Sequence, residues 1–311
     1  MRRLLPFALC SCLALLAAPV AAQTAAARDA MVVSAGWLAD HLHDPNLVLF
    51  HVGVAGEYPA AHIPGARLVS TADLSAPRAR QTDGSPAPGL ALEMPDPEAM
   101  RAKLQSLGVS DDSKIVVYFA KDWLSPATRI VFALDWAGLG ANTVMLDGGM
   151  PAWTAAGHPT TGEVPAARTG RLKPIRPRPV IVDAAFVQAV ARTPHTALVD
   201  ARTGVFYDGV EPSGDGGEKG HIAGAGSVPF TAVFDDAGAL KPAAELEAIF
   251  SRAGVQPGDT VVGYCHIGQQ ATAMLFAARS IGHPVRLYDG SMDDWLKRKL
   301  PLELPKGGGG R

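Results

Sequence analysis

Short apolar runs alternate along the chain with longer segments whose apolar residues recur at helical spacing. The clearest run covers residues 261–264 and ends abruptly at Cys265, and a helical pattern begins at Ala271 after five intervening residues. A short apolar run bounded by turn residues is typical of a buried strand. The pattern therefore predicts a strand, a tight loop and a helix, with the cysteine at the end of the strand.

The same order of elements occurs twice. The predicted strands are 47–52, 114–119 and 143–147 in the first copy, and 197–201, 260–264 and 285–289 in the second. A turn segment at 62–66 matches one at 220–225, and the sequence Asp147-Gly148-Gly149 matches Asp289-Gly290-Ser291. Strands that alternate with helices favour parallel sheets. We therefore expect a duplicated α/β protein.

The duplication also suggests domain boundaries. We expect one domain over residues 31–160 and a second over residues 181–304. Residues 161–180, which join them, are rich in proline and in basic residues, a composition typical of an extended, partly stiff linker.

The first 22 residues resemble a secretory signal peptide. Arg2 and Arg3 form a basic start, an apolar stretch at 4–18 follows, and small residues at 20–22 precede a cleavage site near Gln23. We therefore expect export, most simply to a bacterial periplasm. No second long apolar run follows, so we expect no membrane span in the mature form.

Composition narrows the function further. The chain has 311 residues, of which 48% are hydrophobic and 19% charged, and a net charge of −2. These values predict a globular core and give no sign of a nucleic-acid surface. The nine histidines lack metal-ligand spacing and no glycine-rich phosphate motif is present, so no metal or cofactor is expected.

Cys265 is the main candidate for chemistry. The other two cysteines, Cys10 and Cys12, lie in the expected signal peptide. Loop N–H groups and a helix N-terminus can stabilise a thiolate, which is the nucleophilic form of cysteine. Gly268 allows backbone angles that other residues resist. The alternative is a buried, inert cysteine.

The stretch Cys265-His266-Ile267-Gly268-Gln269-Gln270 resembles the active-site loop of the rhodaneses, a family of sulfurtransferases. In that family a cysteine begins a six-residue loop between a central strand and a helix. The resemblance covers nearly the whole mature chain. It implies an α/β fold with two tandem rhodanese-like domains, each a mainly parallel sheet flanked by helices. Phe119 stands where the first copy would need its nucleophile, so the N-terminal domain is expected to be catalytically inactive.

The resemblance also implies roles for residues of the second copy. Cys265 would be the catalytic nucleophile, and the substrate would be bound by Arg202 and by the loop residues His266, Ile267, Gly268, Gln269 and Gln270. The guanidinium fork of Arg202 suits an anionic donor. The alternative for Arg202 is an ordinary salt bridge. His266 is a weaker candidate for a base, because adjacent residues on a tight loop generally point apart.

By this resemblance the chain would be a sulfurtransferase that moves a sulfane sulfur through a Cys265 persulfide. The donor stays open among thiosulfate, 3-mercaptopyruvate and a persulfide or polysulfide, and the acceptor would be cyanide, a thiol or a thiol redox protein. Thiosulfate-type rhodaneses usually carry basic residues in this loop, whereas this loop is neutral apart from His266. The alternatives are a sulfur carrier without turnover and a related phosphatase, which would need arginine where Ala271 stands.

Overall fold

The computed structural model describes residues 27–78, 81, 89–121, 124–190, 193–214 and 216–304. The predicted signal peptide lies outside these residues. Two five-stranded parallel sheets form the framework, with the strand orders β1-β5-β4-β2-β3 and β6-β11-β10-β7-β9, and a third, two-stranded antiparallel sheet pairs β8 with β12. The strands are β1 (Val32–Val33), β2 (Leu47–Val52), β3 (Arg67–Leu68), β4 (Lys114–Phe119), β5 (Thr143–Leu146), β6 (Ile181–Val182), β7 (Thr196–Asp200), β8 (His221–Ile222), β9 (Gly226–Ser227), β10 (Thr260–Tyr264), β11 (Val285–Tyr288) and β12 (Leu302–Glu303).

Helices connect the strands within each domain. They are α1 (Ala35–His41), α2 (Pro97–Ser106), α3 (Leu124–Trp136) and α4 (Gly149–Ala155) in the first domain, and α5 (Ala184–Val190), α6 (Gly204–Tyr207), α7 (Ala243–Arg252), α8 (Gln270–Ser280) and α9 (Ser291–Lys297) in the second. Asp96 caps the start of α2 by accepting from the N–H of Glu98 at 2.8 Å.

The identical strand order of the two large sheets confirms the duplicated parallel α/β fold. The central strand is β4 in one sheet and β10 in the other. Both strands are buried over nearly their whole length, as expected for strands covered by helices on both faces. Strand β4 ends at Phe119, and strand β10 ends at Tyr264, directly before Cys265. The two-residue edge strands were not predicted, since so short a run has no recognisable period.

The domains pack through α3 and α8, which contact each other along the interface. One hydrophobic cluster runs through both domains and includes Ile130, Phe132, Leu275 and Phe276. Helix α3 is buried on all sides from Pro126 to Trp136, because its own sheet covers one side and the other domain covers another.

The segment between the domains is extended and follows the surface of the first domain. Gly170 donates its backbone N–H to Gln105, and Arg178 donates to the carbonyl of Trp136. The side chain of Leu172 is buried. The segment is therefore fixed by hydrogen bonds on the first domain. Within the described residues, no helix has the length and hydropathy required to cross a bilayer.

Candidate active site

Cys265 lies at the carboxyl end of the central strand β10 and is fully buried. Its backbone N–H donates to the hydroxyl of Ser291 at 3.1 Å, and its carbonyl accepts from the N–H of Met292 at 3.0 Å. The Ser291 hydroxyl in turn donates to the carbonyl of Tyr288 at 2.9 Å. The start of α9 therefore holds the backbone of the cysteine from both sides of the residue.

A run of unpaired backbone donors follows Cys265. Within the part of the chain that the structure describes, the N–H groups of residues 266–271 have no hydrogen-bond acceptor. The last two belong to the first turn of α8, where helix N–H groups have no partner in the helix itself. Successive free N–H groups together with a helix N-terminus favour a bound anion. A cysteine thiolate or persulfide at the start of this loop would be such an anion.

Gly268 has its expected special conformation. Its φ is +78°, and a Cβ on this residue would lie 2.6 Å from the carbonyl oxygen of Asp289. A side chain here would be both strained and in collision with the backbone. The close approach of the loop to Asp289 therefore requires glycine.

The first domain contacts this loop through a buried arginine. The Arg129 side chain, on α3, is only 2% exposed, and its Nη1 donates to Asp289 Oδ1 at 2.6 Å and to the Gly268 carbonyl at 3.3 Å. Its Nη2 donates to the carbonyl of Leu92. The guanidinium thus joins the first domain to the loop and to the residue on which the loop rests.

The two glutamines of the loop have different surroundings. Gln269 donates its side-chain amide to the hydroxyl of Ser125, in the first domain, at 3.2 Å. Gln270 has a buried Oε1 without a hydrogen-bond partner. Ile267 is 37% exposed and is the most open apolar residue of the loop. Their predicted contacts with a substrate stay predictions.

Arg202 forms a buried ion pair with Asp200. Both residues are fully buried, and the Arg202 Nε and Nη2 atoms contact the carboxylate at 2.5–3.0 Å. Nη1 donates to Ser213 at 2.5 Å, and Nη2 also donates to Gly220 at 2.9 Å. Burial lowers the pKa of Arg202, but the hydrogen bonds and charge of Asp200 outweigh burial and raise it. The arrangement matches the salt-bridging alternative, and binding of an anionic donor by Arg202 stays a prediction.

His266 lies in the loop beside this ion pair. Its ring meets the ring of Phe206 edge-on, with a centroid separation of 4.5 Å. Burial, followed by the charge of Arg202, lowers the pKa of His266, while Asp200 raises it less. The imidazole is therefore neutral at pH 7 and adds no positive charge for a donor anion.

A cavity of about 420 Å³ opens beside the loop. Its lining includes His266, Ile267, Ser213, Glu218, Asp293 and Lys297. Among the described lining residues, the charged ones are two carboxylates, Glu218 and Asp293, and one cation, Lys297. Lys297 is paired with Asp293 at 2.8 Å. This charge pattern suits a donor of low charge better than a dianion.

The corresponding position in the first domain is filled by Phe119. Its ring would be 2.8 Å from a Cβ on Gly149 and 2.7 Å from one on Gly238, so it packs directly against two glycines. Gly149 is the counterpart of Ser291, and the two residues share a left-handed conformation, with φ values of 53° and 50°. The ring therefore occupies the space that the nucleophile and its serine partner require in the second domain.

Sequence reasoning did not identify two residues that hold the loop. Ser291 could have been found from the comparison of the copies, because serine stands there at the position that Gly149 holds in the first copy. Arg129 has no such signal, since it belongs to the domain without a nucleophile. The matched turn residues His62 and His221 are each stacked on a tyrosine ring, at 4.0 Å on Tyr58 and 3.8 Å on Tyr207.

Comparison with known proteins identifies the family of both domains. The family model of the rhodanese-like domain matches residues 34–156 and 183–298. The chain is 34% identical over 280 residues to a probable 3-mercaptopyruvate sulfurtransferase from Pseudomonas aeruginosa, covering 86% of this chain and 95% of that protein. It is 30% identical to a thiosulfate sulfurtransferase from the same organism, covering 85% and 93%.

Solved structures give the same fold. SseA from Escherichia coli, a 3-mercaptopyruvate sulfotransferase with the rhodanese fold, superposes with a TM-score of 0.70 at 27% identity, covering 84% of this chain and 98% of that one. An anaerobic ergothioneine biosynthesis enzyme from Chlorobium limicola superposes with a TM-score of 0.74 at 21% identity, covering 89% and 71%. That second likeness concerns the fold alone. With two matched domains and relatives named as sulfurtransferases over most of its length, the chain belongs to the rhodanese family and is an enzyme of the sulfurtransferase type.

Proposed function

We propose that the chain transfers a sulfane sulfur from a small donor to cyanide or a thiol through a persulfide on Cys265. The observation that carries the proposal is the position of Cys265 at the start of a loop whose next six N–H groups have no acceptor among the described residues. These donors can stabilise negative charge on sulfur both before and after the transfer.

The proposed reaction has two displacement steps. The Cys265 thiolate attacks the transferable sulfur of the donor, a new S–S bond forms, and the donor remnant leaves with the electron pair of the broken bond. The broken bond is S–S in thiosulfate or a persulfide and C–S in 3-mercaptopyruvate. For thiosulfate the remnant is sulfite, and for 3-mercaptopyruvate it is pyruvate after protonation of its enolate. The acceptor then attacks the outer sulfur, and the S–S bond breaks to regenerate the thiolate.

Among the donors, the surroundings favour those with fewer charges. His266 is neutral, Arg202 is compensated by Asp200, and Lys297 is paired with Asp293. A dianion such as thiosulfate gains little attraction from such a site, whereas 3-mercaptopyruvate or an alkyl persulfide carries less charge to compensate. The 34% identity to a probable 3-mercaptopyruvate sulfurtransferase, against 30% to a thiosulfate sulfurtransferase, supports the same order of preference.

We further propose that the protein acts in the bacterial periplasm after removal of residues 1–22. A thiol redox protein is one class of acceptor there. The basic start and apolar stretch of the N-terminus support this location. Fractionation of the producing cells, with the mass of the secreted chain, tests it: a full-length chain retained in the cytoplasm contradicts export.

The experiment for the chemistry is intact-mass measurement of the protein after exposure to thiosulfate, 3-mercaptopyruvate or polysulfide, followed by cyanide. We expect a gain of one sulfur atom that cyanide removes, and no gain in the Cys265→Ser variant. Absence of any gain with all three donors contradicts the proposal. A gain without steady turnover instead identifies a sulfur carrier.

A further inference from the structure

We propose that Arg129, in the N-terminal domain, is a positioning residue for the catalytic loop of the C-terminal domain. The domain without a nucleophile then sets the geometry in which sulfur is transferred. This inference rests on the proposed function for the identity of the reaction, and on the contacts of Arg129 for everything else.

The first argument is the cost of burying Arg129. Its guanidinium is withdrawn from water and contacts a carboxylate and two carbonyls, those of Asp289, Gly268 and Leu92. A buried charge is tolerated only where such partners are complete, and arginine rather than lysine offers several donors in one plane. The position is therefore specific to arginine, and two of its three partners belong to the catalytic loop or its support.

The second argument concerns the peptide between Gly268 and Gln269. In a trans peptide the C=O and the N–H point in opposite directions. Because the Gly268 carbonyl points to Arg129, the Gln269 N–H points away from Arg129, and it is one of the loop donors without an acceptor. A flip of this peptide would replace that donor by a carbonyl oxygen, which repels an anion.

A flip of this peptide rotates ψ of Gly268 together with φ of Gln269, and at Gly268 no Cβ restricts the rotation. A hydrogen bond to the Gly268 carbonyl holds the peptide in its observed orientation. Arg129 supplies this hydrogen bond, and the same nitrogen also contacts Asp289, against which Gly268 packs.

Two neighbours of Arg129 strengthen the contact. Ser125 accepts from the side chain of Gln269, and the Thr128 hydroxyl lies 3.0 Å from that of Thr272. The first turns of α3 thus contact the loop and the start of α8 at several points. A displacement of α3 would be transmitted directly to the loop.

The chain contains a matched control for this contact. Asp147 is the counterpart of Asp289 in the first domain, and Arg28 donates to it at 3.3 Å and to the carbonyl of Leu240 in the second domain at 2.7 Å. Arg28 therefore joins the two domains through an equivalent aspartate, but at the site filled by Phe119. Its replacement removes a similar contact without touching the catalytic loop.

The experiment compares steady-state kinetics of the R129M and R28M variants of the mature protein with 3-mercaptopyruvate and cyanide. We expect R129M to lower kcat by about 10- to 100-fold, the range for small misplacement of reacting groups, with the donor KM unchanged. R28M should retain the wild-type kcat. R129K keeps a charge beside Asp289 but has a single donor centre, so it should fold and remain slow.

Because R129M leaves the Asp289 carboxylate buried without its partner, R129M/D289N is included as a variant with no unpaired charge. Either variant, if folded with the wild-type kcat, overturns the inference, as does an equal loss in R28M. If the wild type shows no turnover at all, the proposed function fails, and hydrogen exchange still tests the positioning role. Exchange across residues 265–272 should be faster in R129M and not in R28M, and equal exchange in the two variants overturns the inference.

Discussion

The hydroxyl oxygens of Thr128 and Thr272 lie 3.0 Å apart in the core of the domain interface. Both side chains are fully buried, and the two threonines hold equivalent positions in the duplicated sequence, each directly after the alanine near the start of its helix. Contact between equivalent residues places them close to a local twofold axis. Helices α3 and α8 meet at this point, so the loop preceding each helix ends close to the other domain.

This relationship explains why the first domain contacts the loop that follows Cys265. The interface brings the start of α3 to the start of α8, and the loop that carries Cys265 ends at the latter. Only one of the two equivalent sites has a cysteine, whereas both have an aspartate that meets an arginine at the interface.

Replacement of Gly268 by alanine should impair sulfur transfer more than it impairs stability. The variant adds the cost of a left-handed alanine, about 1–2 kcal/mol, and pushes the loop away from Asp289. We expect persulfide formation, measured by intact mass, to fall at least about tenfold in rate, in line with small misplacement of a reacting group.

Gly282→Ala is the control for this backbone cost. Gly282 has a φ of +91° and open space around the position of a Cβ. It should lose a similar free energy of unfolding and keep its activity. Equal activity in the two variants would mean that the loop does not need its observed conformation.

Two substitutions of Ser291 should distinguish the role of its hydroxyl in positioning Cys265 from its contribution to the stability of the fold. Ser291→Ala loses both hydrogen bonds of the hydroxyl and keeps the strained φ of 50°, so we expect a loss of about 1–3 kcal/mol. Ser291→Gly also loses the bonds but removes the strain, so it should be more stable than the alanine variant by about 1 kcal/mol. Chemical denaturation measures the difference.

Turnover should nevertheless fall in both Ser291 variants, because the backbone N–H of Cys265 loses its acceptor in each. Wild-type turnover in either variant would show that the hydroxyl has no part in catalysis.

Replacement of Arg202 by methionine should reveal which of its two interpretations holds. Since Arg202 and Asp200 are both fully buried, the variant leaves an unpaired carboxylate in the core, and we expect a loss of about 3–5 kcal/mol in the free energy of unfolding. The measurement is thermal unfolding together with the KM for each donor. A large rise in KM with unchanged stability would instead favour the donor-binding role predicted from the sequence.

Stability should fall on acidification because of His51. This buried histidine contacts the Tyr118 hydroxyl through Nδ1 at 2.8 Å, and its Nε2 has no hydrogen-bond partner. Burial, with a contribution from the nearby His62, lowers the pKa of His51 to about 4. Between about pH 6.5 and 4 the unfolded chain therefore binds a proton that the folded protein excludes, and folding weakens as the pH falls.

From pH 7 to 5 this effect amounts to about 2 kcal/mol. His51→Gln should remove it, so that denaturant curves of the variant shift less with pH than those of the wild type. Parallel shifts in both proteins would assign the acid sensitivity to other groups.

Much of the fold followed from the sequence alone. The predicted runs 47–52, 114–119 and 260–264 coincide with strands of the structure, because a fully buried parallel strand is a nearly continuous apolar run and is easily recognised. The duplication gave the silent position of Phe119 by alignment, and the loop from Cys265 to Gln270 was recognised from its cysteine, its glycine and the elements on either side.

What the sequence could not decide depends on side chains brought together from distant parts of the chain. Asp200 lies two residues before Arg202, but only burial of the pair determines that the arginine is bound within the protein. Arg129 is 160 residues from Asp289, and nothing in the local sequence of either residue indicates the other. Local patterns are set by backbone propensity and apolar period, so the sequence determined the elements and the position of Cys265 at the end of its strand. The packing of the two domains across α3 and α8 decided that Arg129 of the first domain contacts Asp289 and the Gly268 carbonyl of the second.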